Sequence, residues 1–479
     1  MLIDGEWLDS QGRQYIDVIN PATEEIFARV PQATASETDR ALMAAERSFP
    51  AWSGLSPFVR AEYLWRASDI LAQRKEKLGR LMTQEQGKPL NEAVGEVDKA
   101  VEMLRYYAEE GKRAYGQIID NTDPNDQSLV IKQPVGVVAA LSAWNYPIEL
   151  TGWKAAAALA AGCTIVAKVP SLTPLSPLEY WRCLFDAGIP AGVINAVTGS
   201  GSQVGRHLVE SPISHKVAFT GSLEVGLAIQ AQAKDTIKKI SLELGGQCPL
   251  IVSRKCDLAN AVKGAVRRSF RNMGQICIAI NRIYVENAIY EAFIENFKEE
   301  TLKLIIADGM ESPDADLGPM ANAEGLQKTK RHIEDALNKG ARLICGGKRP
   351  EGARFEKGYF FEPTILADTT HDMLIMTEET FGPAVGVMAY QNLAEAIQLA
   401  NATPYGLAAY ACTNDLHEMN RLSKALQAGS VAVNNVDAGI MNVAYGGWKQ
   451  SGIGREHGHE GLEEYLQLKH VRIRYREPC

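Results

Sequence analysis

From about residue 36 to residue 115, apolar side chains recur three and four positions apart among Glu, Lys, Arg and Ala. Ala41-Leu42 is followed by Ala44-Ala45, and Leu78 by Leu81-Met82, a spacing that gathers them on one face of a helix. From about residue 129 the texture changes. Short β-branched runs (Val137-Val138-Ala139-Ala140, Thr164-Ile165-Val166-Ala167, Val193 to Val197, Lys216-Val217-Ala218-Phe219) alternate with longer Ala/Leu-rich stretches. Strand and helix alternation of this kind predicts βαβ units, a parallel sheet and an α/β fold class. A second alternating region follows residue 246, with strand candidates at Ile283-Tyr284-Val285 and Val431-Ala432-Val433. The chain closes on an alternating strand, Leu468 to Tyr475, whose apolar face needs a cover. Ser128-Leu129-Val130-Ile131-Lys132 alternates in the same way and offers a partner in a small sheet. An edge strand on the main sheet satisfies the pattern equally well.

Bulk properties narrow the class. With 479 residues, 46% of them hydrophobic, the chain can bury large cores and divide into about two to four domains. A formal net charge of -8 argues against a nucleic-acid partner. The longest small, apolar tract, Ala155 to Val166, contains Thr164 and ends at Ala167-Lys168, which suits a buried helix running into a strand rather than a membrane span. The first residues, Met-Leu-Ile-Asp-Gly-Glu-Trp, have neither a basic region nor a signal-like core. Eight cysteines (163, 183, 248, 256, 277, 345, 412 and 479) lack CxxC spacing, so neither a metal site nor a disulfide framework is expected. A cytoplasmic enzyme is the expected class.

The stretch Phe270-Arg271-Asn272-Met273-Gly274-Gln275-Ile276-Cys277 sets one thiol in a Gly-Gln turn, and Leu242-Glu243-Leu244-Gly245-Gly246 sets a carboxylate 34 residues before it. Together they offer a nucleophile and a base; alone, Cys277 would read as a small buried core thiol. The strand ending at Phe219 runs into Thr220-Gly221-Ser222 and then a helical stretch, where bare N–H groups and the helix dipole suit a phosphate. No three-glycine fingerprint is present, and Gly199 to Gly205, spaced GxGxxxG, is a weak match. Lys168 closes a strand, at the end of an α/β sheet where ligands bind.

Taken in order, these stretches resemble the NAD(P)-dependent aldehyde dehydrogenase superfamily across essentially the whole chain. The matches are Trp144-Asn145-Tyr146-Pro147, Lys168 with Thr173-Pro174, Phe219-Thr220-Gly221-Ser222, Glu243-Leu244-Gly245-Gly246, Gly274-Gln275-Ile276-Cys277, Glu378-Glu379-Thr380-Phe381-Gly382-Pro383 and Gly446-Gly447-Trp448-Lys449-Gln450-Ser451-Gly452. The resemblance implies a Rossmann-like coenzyme domain (1–121 and 137–245), an α/β catalytic domain (246–446) and a small β oligomerisation piece (122–136 and 460–479) in a homodimer or homotetramer. It implies that Cys277 attacks the aldehyde, that the Asn145 amide and the Cys277 N–H hold the oxyanion, and that Glu243 activates the hydrolytic water. It also implies coenzyme contacts from Trp144, Lys168, Ser171, Gly221, Ser222, Leu244, Glu379 and Phe381.

The departures bear on specificity. Many NAD-preferring members carry a glutamate where this chain has Ser171; a serine there does not repel a 2′-phosphate, so NADP is expected to be accepted alongside NAD. The family's frequent Pro-Phe before the Gly-Gly pair is Ala444-Tyr445, and an acidic residue usual in the last motif is Gln467. Phe270-Arg271-Asn272 and Asn281-Arg282-Ile283-Tyr284-Val285 look like the succinate-semialdehyde dehydrogenase branch, where an arginine at the position of Arg271 binds a distal carboxylate. That branch's second arginine is Trp153, its late-loop serine is absent from Asp437-Ala438-Gly439-Ile440-Met441, and the cysteine two residues past the nucleophile is Ala279. A small anionic aldehyde is the expected substrate, with a neutral hydroxyaldehyde (lactaldehyde or glycolaldehyde) as the alternative. Coenzyme-A-acylating chemistry is a further alternative, against which the presence of Glu243 weighs.

Overall fold

A computed structural model describes residues 1–475, so Cys479 and the end of the 460–479 segment lie outside the described residues. An eight-stranded sheet runs in the order Gly452–Ile453, Lys239–Glu243, Ser214–Thr220, Val137–Leu141, Thr164–Lys168, Ile194–Val197, Leu2–Ile3, Glu6–Trp7. Its five central strands are parallel, and the short strands at both edges pair antiparallel. Numbered along the chain, the five lie third, second, first, fourth, fifth across the sheet. That is a Rossmann order, and the reversal between Val137–Leu141 and Ser214–Thr220 opens a crevice beyond their carboxyl ends.

Local chemistry explains the elements that flank this crevice. Val137–Leu141 and Thr164–Lys168 are buried along their whole length, as strands covered on both faces must be. Between them, the helix Pro147–Ala161 starts with a proline, whose missing N–H costs nothing in a first turn. Its Ala-rich run packs nearly all round, and Gly162 at φ 97° ends it in the left-handed region. The amino-terminal half contributes helices Ala35–Ser53, Pro57–Gln73, Lys75–Gln86 and Leu90–Glu110, the first closed by a capping box between Thr34 and Glu37. None of the described helices is long and apolar enough to cross a membrane.

A second sheet has seven strands in the order Arg342–Cys345, Thr364–Ala367, Ala384–Tyr390, Ile280–Glu286, Cys248–Val252, Ala408–Cys412, Ser430–Val433, all parallel but the first. Its core includes Phe270 stacked on Phe297 at a centroid distance of 5.9 Å. The terminal strand Leu466–Arg474 joins neither large sheet. It pairs antiparallel with Asp126–Pro134, Leu468 opposite Lys132 and Arg472 opposite Ser128, and Gln117–Asp120 adds a third strand that the sequence pattern did not single out. Arg474, with Arg472, clasps Asp126 and holds its carboxyl down to about 2. Ile118, Ile119 and Leu468 stay exposed on this small sheet.

Candidate active site

The turn before Cys277 is built from unusual backbone. Helix Leu258–Phe270 ends at Arg271, and Asn272, Met273 and Gly274 follow with φ of 49°, 58° and 66°. A non-glycine residue held there costs on the order of 1–3 kcal/mol, so the surroundings must over-determine it. They do. Gln275 donates from its backbone N and its Nε2 to the Asn272 carbonyl, at 3.1 and 3.0 Å, and Gln86 Nε2 donates to Asn272 Oδ1 at 3.0 Å. Gly274 has no alternative, because a Cβ there would lie 2.2 Å from the Gly382 carbonyl oxygen.

Cys277 emerges from this turn half-buried, into a cleft of about 430 Å³ that Trp144, Asn145, Gly221, Ser222, Leu244, Glu379 and Phe381 also line. Eight residues singled out in the sequence thus share one cavity. Asn145 is fixed from two sides. Its Nδ2 donates to the Gln275 carbonyl at 3.0 Å, and its own carbonyl accepts from Lys88 Nζ at 2.8 Å and Asn272 Nδ2 at 3.1 Å. Lys88 is fully buried against Glu96 at 2.5 Å, and Glu96 accepts the N–H groups of Ile148 and Glu149 at the start of the following helix. The Cys277 thiol, desolvated by the cleft walls, is pushed up to about 12; a hydrogen bond with the Tyr445 hydroxyl, 3.4 Å from Sγ, works in the opposite direction.

Glu243 sits at the end of its strand beside the cleft. Both carboxyl oxygens are buried without a hydrogen-bond partner among the described residues, and a Cβ on Gly446 would come within 2.8 Å of one of them. Burial, then the charge of Glu456, raises its pKa well above the carboxylate range. Lys154 opposes this rise only in part, its ammonium being bonded to Glu456 at 3.0 Å and Thr220 at 2.7 Å rather than to Glu243. A buried carboxyl that stays protonated beside a cleft thiol is the environment of a tuned acid or base.

The other end of the crevice suits an anionic coenzyme. Lys168 is buried, its ammonium bonded among the described residues only to Ser171 Oγ at 3.0 Å, and burial brings it down to about 8. Ser171 in turn donates to the Gly199 carbonyl at 2.8 Å. Ser222 caps the helix Leu223–Gln232 through the Val225 N–H. Glu379 accepts from the Gly246 N–H at 2.9 Å, its carboxyl raised by burial to about 7, and a side chain at Gly245 would collide with it at 2.5 Å. Phe381, held at φ 52°, meets Trp144 edge to face at 5.5 Å. A buried cation with no counter-ion among the described residues, a capped helix start and a carboxylate along one crevice fit a dinucleotide.

Lys168, Ser171, Glu243, Arg271 and Trp153 lie outside the cleft lining itself. Arg271 Nε donates to Glu92 at 2.8 Å, the same oxygen that accepts from the Tyr146 hydroxyl, while its two terminal nitrogens have no partner among the described residues. Trp153 is buried, with its ring 4.4 Å from His457 and 5.2 Å from Tyr445. Sequence reading missed Asn322, Glu324, Lys328 and Arg331, which the start of helix Ala323–Asn338 brings to the cleft. It also missed Lys88 and Glu96. The available signal was a charged residue, Glu96, in the apolar stripe of Ala93, Val97 and Ala100.

The profile of the aldehyde dehydrogenase family matches residues 7–471. The succinate-semialdehyde dehydrogenase (NADP(+)) GabD of Escherichia coli K12 is 43% identical over 472 residues, 98% of this chain and 97% of that protein. A glutarate-semialdehyde dehydrogenase of Pseudomonas aeruginosa is 43% identical over 469 residues, 98% of this chain and 96% of that one. The crystal structure of an E. coli NADP-dependent enzyme superposes with a TM-score of 0.97 at 43% identity, covering 99% of this chain and 98% of that chain.

Proposed function

Because the chain belongs to the aldehyde dehydrogenase family, whose members are NAD(P)-dependent oxidoreductases, we propose that Cys277 is its nucleophile and a small anionic semialdehyde its substrate. The thiolate attacks the carbonyl carbon, the carbonyl π pair moves to oxygen, and the oxyanion is received by the Asn145 amide and the Cys277 N–H. A preset donor of this kind is worth roughly 3 kcal/mol of barrier. The bound coenzyme supplies the hydride acceptor, leaving a thioester on Cys277. Glu243, once ionised, takes a proton from water; the resulting hydroxide adds to the thioester carbonyl carbon, and the S–C bond then breaks, returning the thiolate to Cys277 and freeing the acid. The observation that carries this reading is the placement of Cys277 and Asn145 in one cleft, with the unpartnered Glu243 carboxyl beside it.

Lys168 and Ser171 are assigned to the adenosine ribose and its 2′ substituent, Gly221 and Ser222 to the pyrophosphate, and Glu379, Phe381, Leu244 and Trp144 to the nicotinamide end. Serine at position 171 leaves room for NADP as well as NAD. The exposed three-stranded sheet supports a homodimer or homotetramer, with Gln117–Asp120 joining 122–136 and 460–479 in the oligomerisation piece, the rest of 1–121 with 137–245 as the coenzyme domain and 246–446 as the catalytic domain.

For the substrate, the free terminal nitrogens of Arg271 can grip an anion by charge-assisted bonds, and both relatives are named for ω-carboxylate aldehydes. Tyr445 sets its hydroxyl against Cys277 Sγ, and Trp153 packs edge to face on the Tyr445 ring. Initial rates with succinate semialdehyde and with butanal, NADP in both, test the reading. A kcat/KM advantage of about tenfold or more, about 1.4 kcal/mol, is expected for the semialdehyde, and Arg271→Met is expected to erase it. Equal rates in the unsubstituted enzyme would defeat the anionic assignment.

A further inference from the structure

Tyr445 occupies a position where the family resemblance leads one to expect phenylalanine, and the added oxygen is not idle. The residue is 3% exposed, with its backbone pinned to Glu456 by two hydrogen bonds of 2.8 Å. Trp153 and His457 hold its ring at centroid distances of 5.2 and 5.5 Å. The hydroxyl therefore cannot swing to water. Its one polar partner among the described residues is Cys277 Sγ, 3.4 Å away.

We propose that Tyr445 is a further catalytic residue, whose hydroxyl donates a hydrogen bond to the Cys277 thiolate and raises the thiolate fraction available for attack. This rests on Cys277 being the nucleophile. When the S–H bond breaks, its proton passes to water in the cleft and the electron pair stays on sulfur; Tyr445 keeps its own proton throughout. Burial, together with the nearby Cys277 and Glu243 charges, raises the phenol's pKa, so it stays a donor at every working pH. When the S–C bond forms, negative charge leaves sulfur for the carbonyl oxygen and the Tyr445 bond weakens. The donor thus favours the thiolate at some expense of its intrinsic nucleophilicity. With a Brønsted slope of about 0.4–0.5, a pK lowered by about one unit still gives about a threefold net gain below that pK.

Tyr445→Phe removes one oxygen and keeps the ring that Trp153 and His457 pack against. The experiment is inactivation by iodoacetamide from pH 6 to 10, on enzyme saturated with NADP, for the unsubstituted, Tyr445→Phe and Cys277→Ala proteins, with melting temperatures measured alongside. At each pH below the thiol's pK, Tyr445→Phe is expected to be alkylated about threefold more slowly. Any bend in its profile should lie about one pH unit higher, and kcat/KM should fall by a similar factor without loss of melting temperature. Superimposed alkylation profiles would overturn the role of the hydroxyl while leaving the nucleophile in place. Full activity in Cys277→Ala would instead overturn the reading on which the proposal rests.

Discussion

Lys168 joins burial to function within a single side chain. It sits at the carboxyl end of its strand with only the Ser171 hydroxyl for company, and desolvation lowers its pKa from the lysine range to about 8. Below that value the free enzyme presents a cation to an anionic coenzyme; above it, binding must first recruit a proton. The KM for NADP should therefore climb between pH 8 and 9 by up to about tenfold, and the KM for NAD, which lacks the 2′-phosphate, should climb less. Parallel or flat profiles for the two coenzymes would remove Lys168 from 2′-phosphate binding. Arg271 is the opposite kind of residue, already committed to Glu92 through Nε. Any anion it holds must be met by the two remaining nitrogens.

At the scale of the element, one buried ion pair ties three segments to Asn145, the proposed oxyanion donor. Lys88 precedes the helix Leu90–Glu110, Glu96 lies within it, and the pair holds both the Asn145 carbonyl and the first N–H groups of the helix that follows. Removing one partner of a fully buried pair typically costs about 3–5 kcal/mol, because the other charge is left unpaired. Lys88→Met is thus expected to lose that much stability in urea titration, and to lose kcat because Asn145 loses its anchor. A loss under about 1 kcal/mol would mean that the pair contributes no more than a surface ion pair.

The whole molecule shows which information was local and which was not. The strand–turn–helix at Phe219 to Leu223 could be read from neighbouring residues, since Gly221 and Ser222 act through their own backbone and cap. The same holds for four strands of the Rossmann order, Val137–Leu141, Thr164–Lys168, Ile194–Val197 and Ser214–Thr220, whose apolar runs stand out between helical stretches; the fifth, Lys239–Glu243, begins exposed and has no such run. Long-range pairings left no trace in periodicity. Lys88 finds Asn145 57 residues away, Tyr445 reaches Cys277 across 168 residues, and helix Ala323–Asn338 arrives at the cleft from a stretch without a motif. Three consecutive left-handed residues before Cys277 were equally hidden, because only Gly274 signals that conformation, while Asn272 is held in it by Gln86 and Gln275 and Met273 is buried.

Those distant pieces converge on one thiol, and the measurement that addresses it most directly is the mass of the Glu243→Gln enzyme quenched in acid after mixing with NADP and succinate semialdehyde. Glutamine keeps the shape of the site but cannot accept water's proton. The expected result is an acyl adduct on the peptide that contains Cys277, formed with about one equivalent of reduced coenzyme per site and followed by slow turnover. An unmodified Cys277 peptide together with an undiminished steady-state rate would contradict covalent catalysis at this thiol.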